Sequence, residues 1–146
     1  MVKLLIVGDT HIPTRAKSVP KIMFKIIDEN KPYDYVFFTG DLVSESVLDF
    51  FEKLGSKAFF VRGNMDYLSL PEYVVEEIGN IRIGLIHGDQ VYPRGDVEGL
   101  LKIDPGNENA YKLLEKDIPL DGKLYLEGFA QWVAFKSLDF YGLSSR

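Results

Sequence analysis

The sequence predicts an α/β fold in which helices return between the strands of a parallel sheet. Three observations lead there. Apolar runs of strand length alternate with helical stretches from Val2 to Val61, in the order strand, helix, strand, helix, strand, which calls for right-handed crossovers. Each strand run stops at a short glycine-containing loop, where the polar residues collect. The composition, 46% hydrophobic and 27% charged over 146 residues, suits one domain with a proper core.

Val2 to Val7 is a continuous aliphatic run, the signature of a strand buried on both faces, and it ends in Gly8-Asp9-Thr10-His11. Ser18-Val19-Pro20 then reads as a helix start, with Ser18 as cap and Pro20 in the first turn. Ile22, Phe24, Ile26 and Ile27 supply its apolar face, and Asn30-Lys31-Pro32 stops it. Tyr35 to Phe38 is the second strand, closed by Thr39-Gly40-Asp41. Ser44 or Ser46 opens a second helix with Val47, Leu48, Phe51 and Leu54 inward and Gly55 as the residue that ends it. Ala58 to Val61 is the third strand, ending in Arg62-Gly63-Asn64-Met65-Asp66. The pattern changes beyond it. Tyr73 to Ile78 and Ile81 to Ile86 flank Gly79-Asn80, a two-residue hairpin turn, and the second run ends in His87-Gly88-Asp89. Val97, Leu100, Leu101 and Ile103 form a short helix stopped by Pro105. Farther on, Asn107 or Asn109 caps a helix running to Ile118, and Pro119 to Gly122 is a turn. Leu124 to Tyr141 has the spacing of a mostly apolar helix, although Leu124-Tyr125-Leu126 fits a strand equally. This aromatic segment either packs on the core or offers a face to a protein partner or a second copy of the chain.

Composition also excludes function classes. The absence of cysteine removes disulfides, thiolate metal sites and a cysteine nucleophile, and fits a reducing cytoplasm. The start MVKLLIVGD has neither the longer apolar core nor the cleavage site of a signal peptide, and no apolar stretch reaches the ~20 residues a membrane-spanning helix needs. The net charge is −5 with basic residues scattered, which argues against a nucleic-acid partner. Ser44 and Ser46 have no histidine in triad range and read as helix caps.

The chemistry is expected where the strands end. Asp9 with His11, Asp41, Asn64 with Asp66, and His87 sit on four successive strand-end loops, and ligands of open α/β sheets bind beyond the carboxyl ends of the strands. Taken singly, each Gly-Asp or Gly-Asn pair is also an ordinary turn. The four together, containing both histidines of the chain, point to a metal site of carboxylate, amide and imidazole donors. Two divalent ions about 3.5–4 Å apart would share a bridging carboxylate. Asp41, from the central strand of the three, is the natural bridge, with Asp9 and His11 on one ion and Asn64 and His87 on the other. Such a centre suits hydrolysis of a small phosphate ester by an activated water.

The series GDTH, TGD, RGNMD and IHGD, in this order and at these intervals, resembles the calcineurin-like metallophosphoesterases. Within that superfamily, GDTHIPTR and IGLIHGDQVYPRGD look like the small archaeal and bacterial phosphodiesterases similar to the phosphoesterase-fold subunit of the vacuolar-sorting retromer. The resemblance covers residues 1–103 of an expected single domain, 1–146, whose stretch 104–146 diverges. It implies a two-sheet α/β sandwich flanked by helices and metal-ligand roles for Asp9, His11, Asp41, Asn64 and His87. It also implies a structural or outer-shell role for Asp66, phosphodiester hydrolysis of a small or artificial substrate, and manganese or a similar ion (zinc, nickel, cobalt or iron). The residues expected to serve catalysis are Asp41, Asp66 and His87.

Two departures accompany the resemblance. Many relatives have a histidine after the motif asparagine, where it protonates the leaving group; here that position is Met65. The family's Gly-His-Thr-His loop is absent, since no histidine follows His87, and Asp104-Pro105-Gly106-Asn107 resembles the turn that normally comes after it. Asp89, Asp96, Asp104 or water would fill the vacated positions, and nothing in the sequence selects among them. The alternative function is therefore a catalytically weak or inactive interaction scaffold of the same fold. Arg15, Arg62 and Arg94 either bind substrate phosphate or offset the loop carboxylates. Tyr67 and Tyr92 either stack on a substrate ring or pack on the loops.

Overall fold

A computed structural model of the chain describes residues 2–79, 81–93, 96, 99, 102–103 and 134–137. The elements in order are β1 (Lys3–Val7), α1 (Lys21–Glu29), β2 (Tyr33–Phe38), α2 (Glu45–Glu52), β3 (Gly55–Phe60), β4 (Tyr73–Ile78), β5 (Ile81–Ile86) and β6 (Ala134–Ser137). The first three strands are parallel, with Leu4 opposite Tyr35 and Val7 opposite Phe38, then Tyr33 opposite Gly55 and Phe38 opposite Phe60. β6 runs antiparallel on the other side of β1, giving the order β3-β2-β1-β6, while β4 and β5 form a separate antiparallel hairpin.

Side-chain alternation builds two apolar layers. Leu5 and Val7 of β1 and Val36 and Phe38 of β2 point toward the helices, where they meet Ile27 of α1 and Val47 and Phe51 of α2. Leu4 and Phe37 point the other way and meet Val61, Ile78 and Leu85 on the hairpin side. The parallel sheet is thus covered on both faces, and this is why its strands read as unbroken apolar runs. The result is the expected two-sheet α/β sandwich. Its register brings the carboxyl ends of β1, β2 and β3 to one edge.

The parallel strands and the hairpin fall where the sequence places them, and the departures have local causes. Ser18 does not cap α1. Pro20 occupies the cap position with an extended backbone (ψ 141°), and its carbonyl accepts the Phe24 N–H at 3.1 Å. Ile22 and Phe24 are exposed, because Ile27 with Met23 turns inward instead; Phe24 settles against the Phe50 ring, 4.9 Å away. Ser44 holds the cap position of α2, its hydroxyl 3.1 Å from that of Ser46 and making no capping bond. Gly55 opens β3 rather than closing α2. A side chain there would press on Val36 Cγ2 at 2.9 Å, so glycine lets the strand begin against β2.

Gly99, Lys102 and Ile103 are helical, as expected of that short segment. The apolar helix expected across 124–141 is contradicted at Ala134–Ser137, which is strand. β1 would otherwise leave a row of amides and carbonyls without a ladder, and β6 supplies it. The helix expected over 107–118, the turn at 119–122 and the remainder of 124–141 lie outside the described residues.

Candidate metal centre

The loops leaving β1 and β2 are zipped together by main-chain bonds. Thr39 N–H donates to Val7 O at 2.8 Å, Asp9 N–H to Gly40 O at 2.9 Å and His11 N–H to Asp41 O at 3.0 Å. Along these loops the backbone is left-handed at Asp9 (φ 53°), His11 (46°), Gly40 (105°), Asp41 (57°) and Val43 (75°). Each non-glycine residue of that kind costs about 1–3 kcal/mol. Asp and His tolerate it best, whereas Val43 is β-branched and has no such allowance. Two glycines permit the close approach. A Cβ on Gly40 would lie 2.7 Å from His87 Nδ1, and one on Gly63 would collide with the Asp41 carboxylate.

The side chains so placed converge. His11 Nε2 lies 3.4 Å from Asp41 Oδ2 and 3.6 Å from Asp9 Oδ1, and His87 Nε2 lies 3.6 Å from the same Asp41 Oδ2. Asn64 Oδ1 is 3.2 Å from His87 Nε2. Asp9, Asp41 and His87 each place a donor atom within 4.8 Å of the others. His11, Asp41 and His87 are buried. One carboxylate oxygen is therefore shared by two imidazoles.

Hydrogen bonding sets the donor chemistry. His87 Nδ1 lies 2.8 Å from Thr39 O; a carbonyl only accepts, so Nδ1 carries a proton, and the neutral ring presents the Nε2 lone pair to the cluster. That lone pair faces Asn64 Oδ1, an arrangement that a cation between ligands reconciles. Asp9 Oδ2 and His11 Nδ1 are buried and have no hydrogen-bond partner among the described residues. Burial pushes the Asp9 carboxyl up from 3.8 to about 6; the Asp41 charge adds to the rise, while His87, then His11 and Arg15, oppose it. Crowded carboxylates, an oriented imidazole and orphaned polar atoms together fit hard divalent or borderline cations.

The other candidates divide. Asp66 does not join the cluster. Its Oδ2 accepts N–H bonds from Asp41 at 2.9 Å and Gly63 at 2.8 Å, and its Oδ1 accepts from Val43 at 2.7 Å. Both oxygens of Asp66 are thus taken by main chain, the contacts of a structural or outer-shell residue. Arg15 is exposed, and its charge reaches Asp9. Arg62 pairs with Glu72 at 2.6 Å, so its guanidinium is engaged outside the loop carboxylates. Arg94 and Asp104 lie outside the described residues. Asp89 is exposed, and Tyr67 and Tyr92 project into solvent at 81% and 94% exposure rather than packing on the loops.

Three contributors escape sequence reasoning. They are the Thr39 carbonyl, the Met65 N–H that donates to Asp41 Oδ1 at 2.8 Å, and Gln90, whose Oε1 accepts the Gly88 N–H at 3.1 Å beside His87. The first two act through main chain and leave no residue-type signal.

Comparison with known proteins agrees with this geometry. The family model described as the calcineurin-like phosphoesterase superfamily domain matches residues 2–116. A probable metallophosphoesterase of Methanocaldococcus jannaschii is 45% identical over 91 residues, which is 62% of this chain and 45% of that protein. The chain thus spans about half the length of the curated relatives it matches. Among solved structures, Vacuolar Protein Sorting 29 from Cryptosporidium parvum superposes with a TM-score of 0.65 at 29% identity, covering 72% of this chain and 59% of that one. The wild-type counterpart from Entamoeba histolytica, solved in complex with zinc, gives 0.62 at 32% identity over 72% of this chain and 58% of that one. With its sandwich fold and its strand-end cluster, the chain belongs to the calcineurin-like phosphoesterase superfamily.

Proposed function

We propose that this chain is a metal-dependent phosphoesterase, specifically a phosphodiesterase acting on a small substrate, with two divalent ions at the strand-end cluster. The observation that supports this most directly is Asp41 Oδ2, set 3.4 Å from His11 Nε2 and 3.6 Å from His87 Nε2. Asp9, His11 and Asp41 would hold one ion, and Asp41, Asn64 and His87 the other. Manganese is the ion we expect, with zinc, nickel, cobalt and iron compatible with the same donors. The zinc complex of the Entamoeba histolytica relative supports a divalent cation of this class.

When bound, the ions supply charge stabilisation for the phosphoryl group and activation of a water nucleophile. The protein does the rest. The Thr39 carbonyl keeps the proton of His87 on Nδ1 and its lone pair on Nε2. The Met65 N–H and the Asp66 clasp hold Asp41 in its shared position. Arg15, exposed beside Asp9, is placed to meet phosphate charge. Met65 cannot protonate a leaving group, so phosphodiesters whose leaving group departs as a stabilised anion should react fastest.

The test is metal content after dialysis against manganese, with hydrolysis of an aryl phosphodiester and an alkyl phosphodiester measured in parallel. About two ions per chain and faster aryl turnover are expected. Protein that stays metal-free and inert in saturating manganese would sink the enzyme reading. A second reading, an interaction scaffold, draws support from the likeness to vacuolar sorting proteins and from the solvent-facing Tyr67 and Tyr92. It is tested by whether Tyr67→Ala with Tyr92→Ala abolishes self-association or partner capture.

A further inference from the structure

The loop that carries Asp41 is held in a conformation its own sequence resists. Gly40, Asp41 and Val43 all have positive φ (105°, 57° and 75°), and of these Val43 is the residue type least able to adopt it. Successive N–H groups in such a loop form a concavity that attracts an anion, and here the anion is a side chain of the protein itself. The Asp66 carboxylate takes the N–H groups of Asp41, Val43 and Gly63 at 2.9, 2.7 and 2.8 Å. The clasp is reciprocal, because Asp41 Oδ1 accepts the neighbouring Met65 N–H at 2.8 Å. Each loop's acid thus holds the other loop's main chain.

We propose that Val43 is a positioning residue for the candidate metal centre: a strained pivot, held open by Asp66, whose relaxation would turn Asp41 away from His11 and His87. Val43 touches no ligand atom in this scheme and acts only through the backbone. Its preferred conformation has negative φ; once Asp66 Oδ1 lets go of its N–H, nothing in the local sequence keeps the loop left-handed. Glycine in the same place has no such preference and takes the left-handed conformation without the steric cost that Val43 carries. The inference rests on the proposed metal-binding role, and it makes a prediction that ordinary structural support does not. Removing the clasp should harm metal binding, and removing the strain should restore it.

The experiment compares the wild-type chain with Asp66→Asn, Val43→Gly and the double variant. Asp66→Asn replaces one accepting oxygen by an NH2 group, which cannot receive an amide. Manganese affinity, read by titration calorimetry, is expected to fall about tenfold or more in Asp66→Asn, as for loss of an outer-shell partner. The double variant should recover most of that loss, measured against Val43→Gly alone. In metal-free protein, the amides of Asp41, Val43 and Gly63 should exchange slowly with solvent. In Asp66→Asn they should exchange fast while Val36 in β2 stays protected. A double variant as weak as Asp66→Asn, with Val36 still protected, overturns the role of Val43. Unchanged exchange at the three amides in Asp66→Asn overturns the clasp. If the wild type binds no manganese at all, the metal-centre reading fails instead, and the φ-dependent backbone couplings of Asp41 decide the pivot: left-handed values lost in Asp66→Asn and regained in the double variant support it, values still lost in the double variant refute it.

Discussion

The interior of the parallel sheet and its carboxyl-end rim are built on opposite terms. In the interior, Leu5, Val36, Phe38 and Phe51 are essentially without solvent exposure, their strands are fully laddered, and Phe38 packs at 5.2 Å and 5.9 Å against Phe51 and Phe60. A few residues away, the rim has four non-glycine residues at positive φ, two buried polar atoms without partners among the described residues, and a carboxyl group pushed up to about 6. The difference teaches where stability and function reside. The interior supplies the free energy that lets the rim remain strained and polar, and local rules of folding are broken where chemistry is expected.

Three measurements sharpen or break this contrast. The largest effect should come from the interior. Phe51→Ala removes a wholly buried ring and is expected to cost about 3–5 kcal/mol in denaturant unfolding. The molecules still folded should keep wild-type manganese affinity; a matching loss of affinity would show that the two regions are not separable.

Next in size is Asp41→Asn at the rim. It keeps an oxygen for the Met65 N–H but removes the shared charge, so manganese affinity should fall by more than about 100-fold. The thermal midpoint of metal-free protein should hold or rise, since the Asp41 charge contributes to raising the Asp9 pKa. Wild-type affinity in this variant would break the bridging assignment.

The smallest effect concerns pH. Asp9 in metal-free protein keeps its proton up to about 6, whereas unfolded it loses it near 3.8. Between those values the folded state holds the extra proton, so the Asp9 contribution to stability is present at low pH and lost as pH rises through about 6. Manganese needs the ionised form, so the Asp9 proton alone should make affinity fall as pH drops below that value, approaching about tenfold per unit. Flat affinity from pH 7 to 5 would remove Asp9 from the ligand set.

Much of this was legible before any coordinates. The continuous apolar runs at Val2–Val7 and Tyr35–Phe38 announce strands covered on two faces, and the Gly79-Asn80 turn places the hairpin between Ile78 and Ile81. The failures share a cause. Ile22 and Phe24 look inward on a helical wheel, but the rotation of α1 is set by what Ile27 and Met23 find to pack against. Gly55 reads as a helix end until β2 is present as its neighbour. The strand at Ala134–Ser137 follows from the open edge of β1, more than a hundred residues earlier in the chain.

By itself the sequence determined the class of fold, the four loops and the donor types, because hydrophobic periodicity and turn chemistry are local properties of the chain. Only the tertiary structure decided that Asp41 Oδ2 stands between two imidazoles, that Thr39 directs the proton of His87, and that Asp66 holds the strained loop at Val43. The last two relations join residues 48 and 23 positions apart through a main-chain carbonyl and a main-chain amide. Every residue type offers the same backbone groups, so their pairing leaves no mark on the sequence.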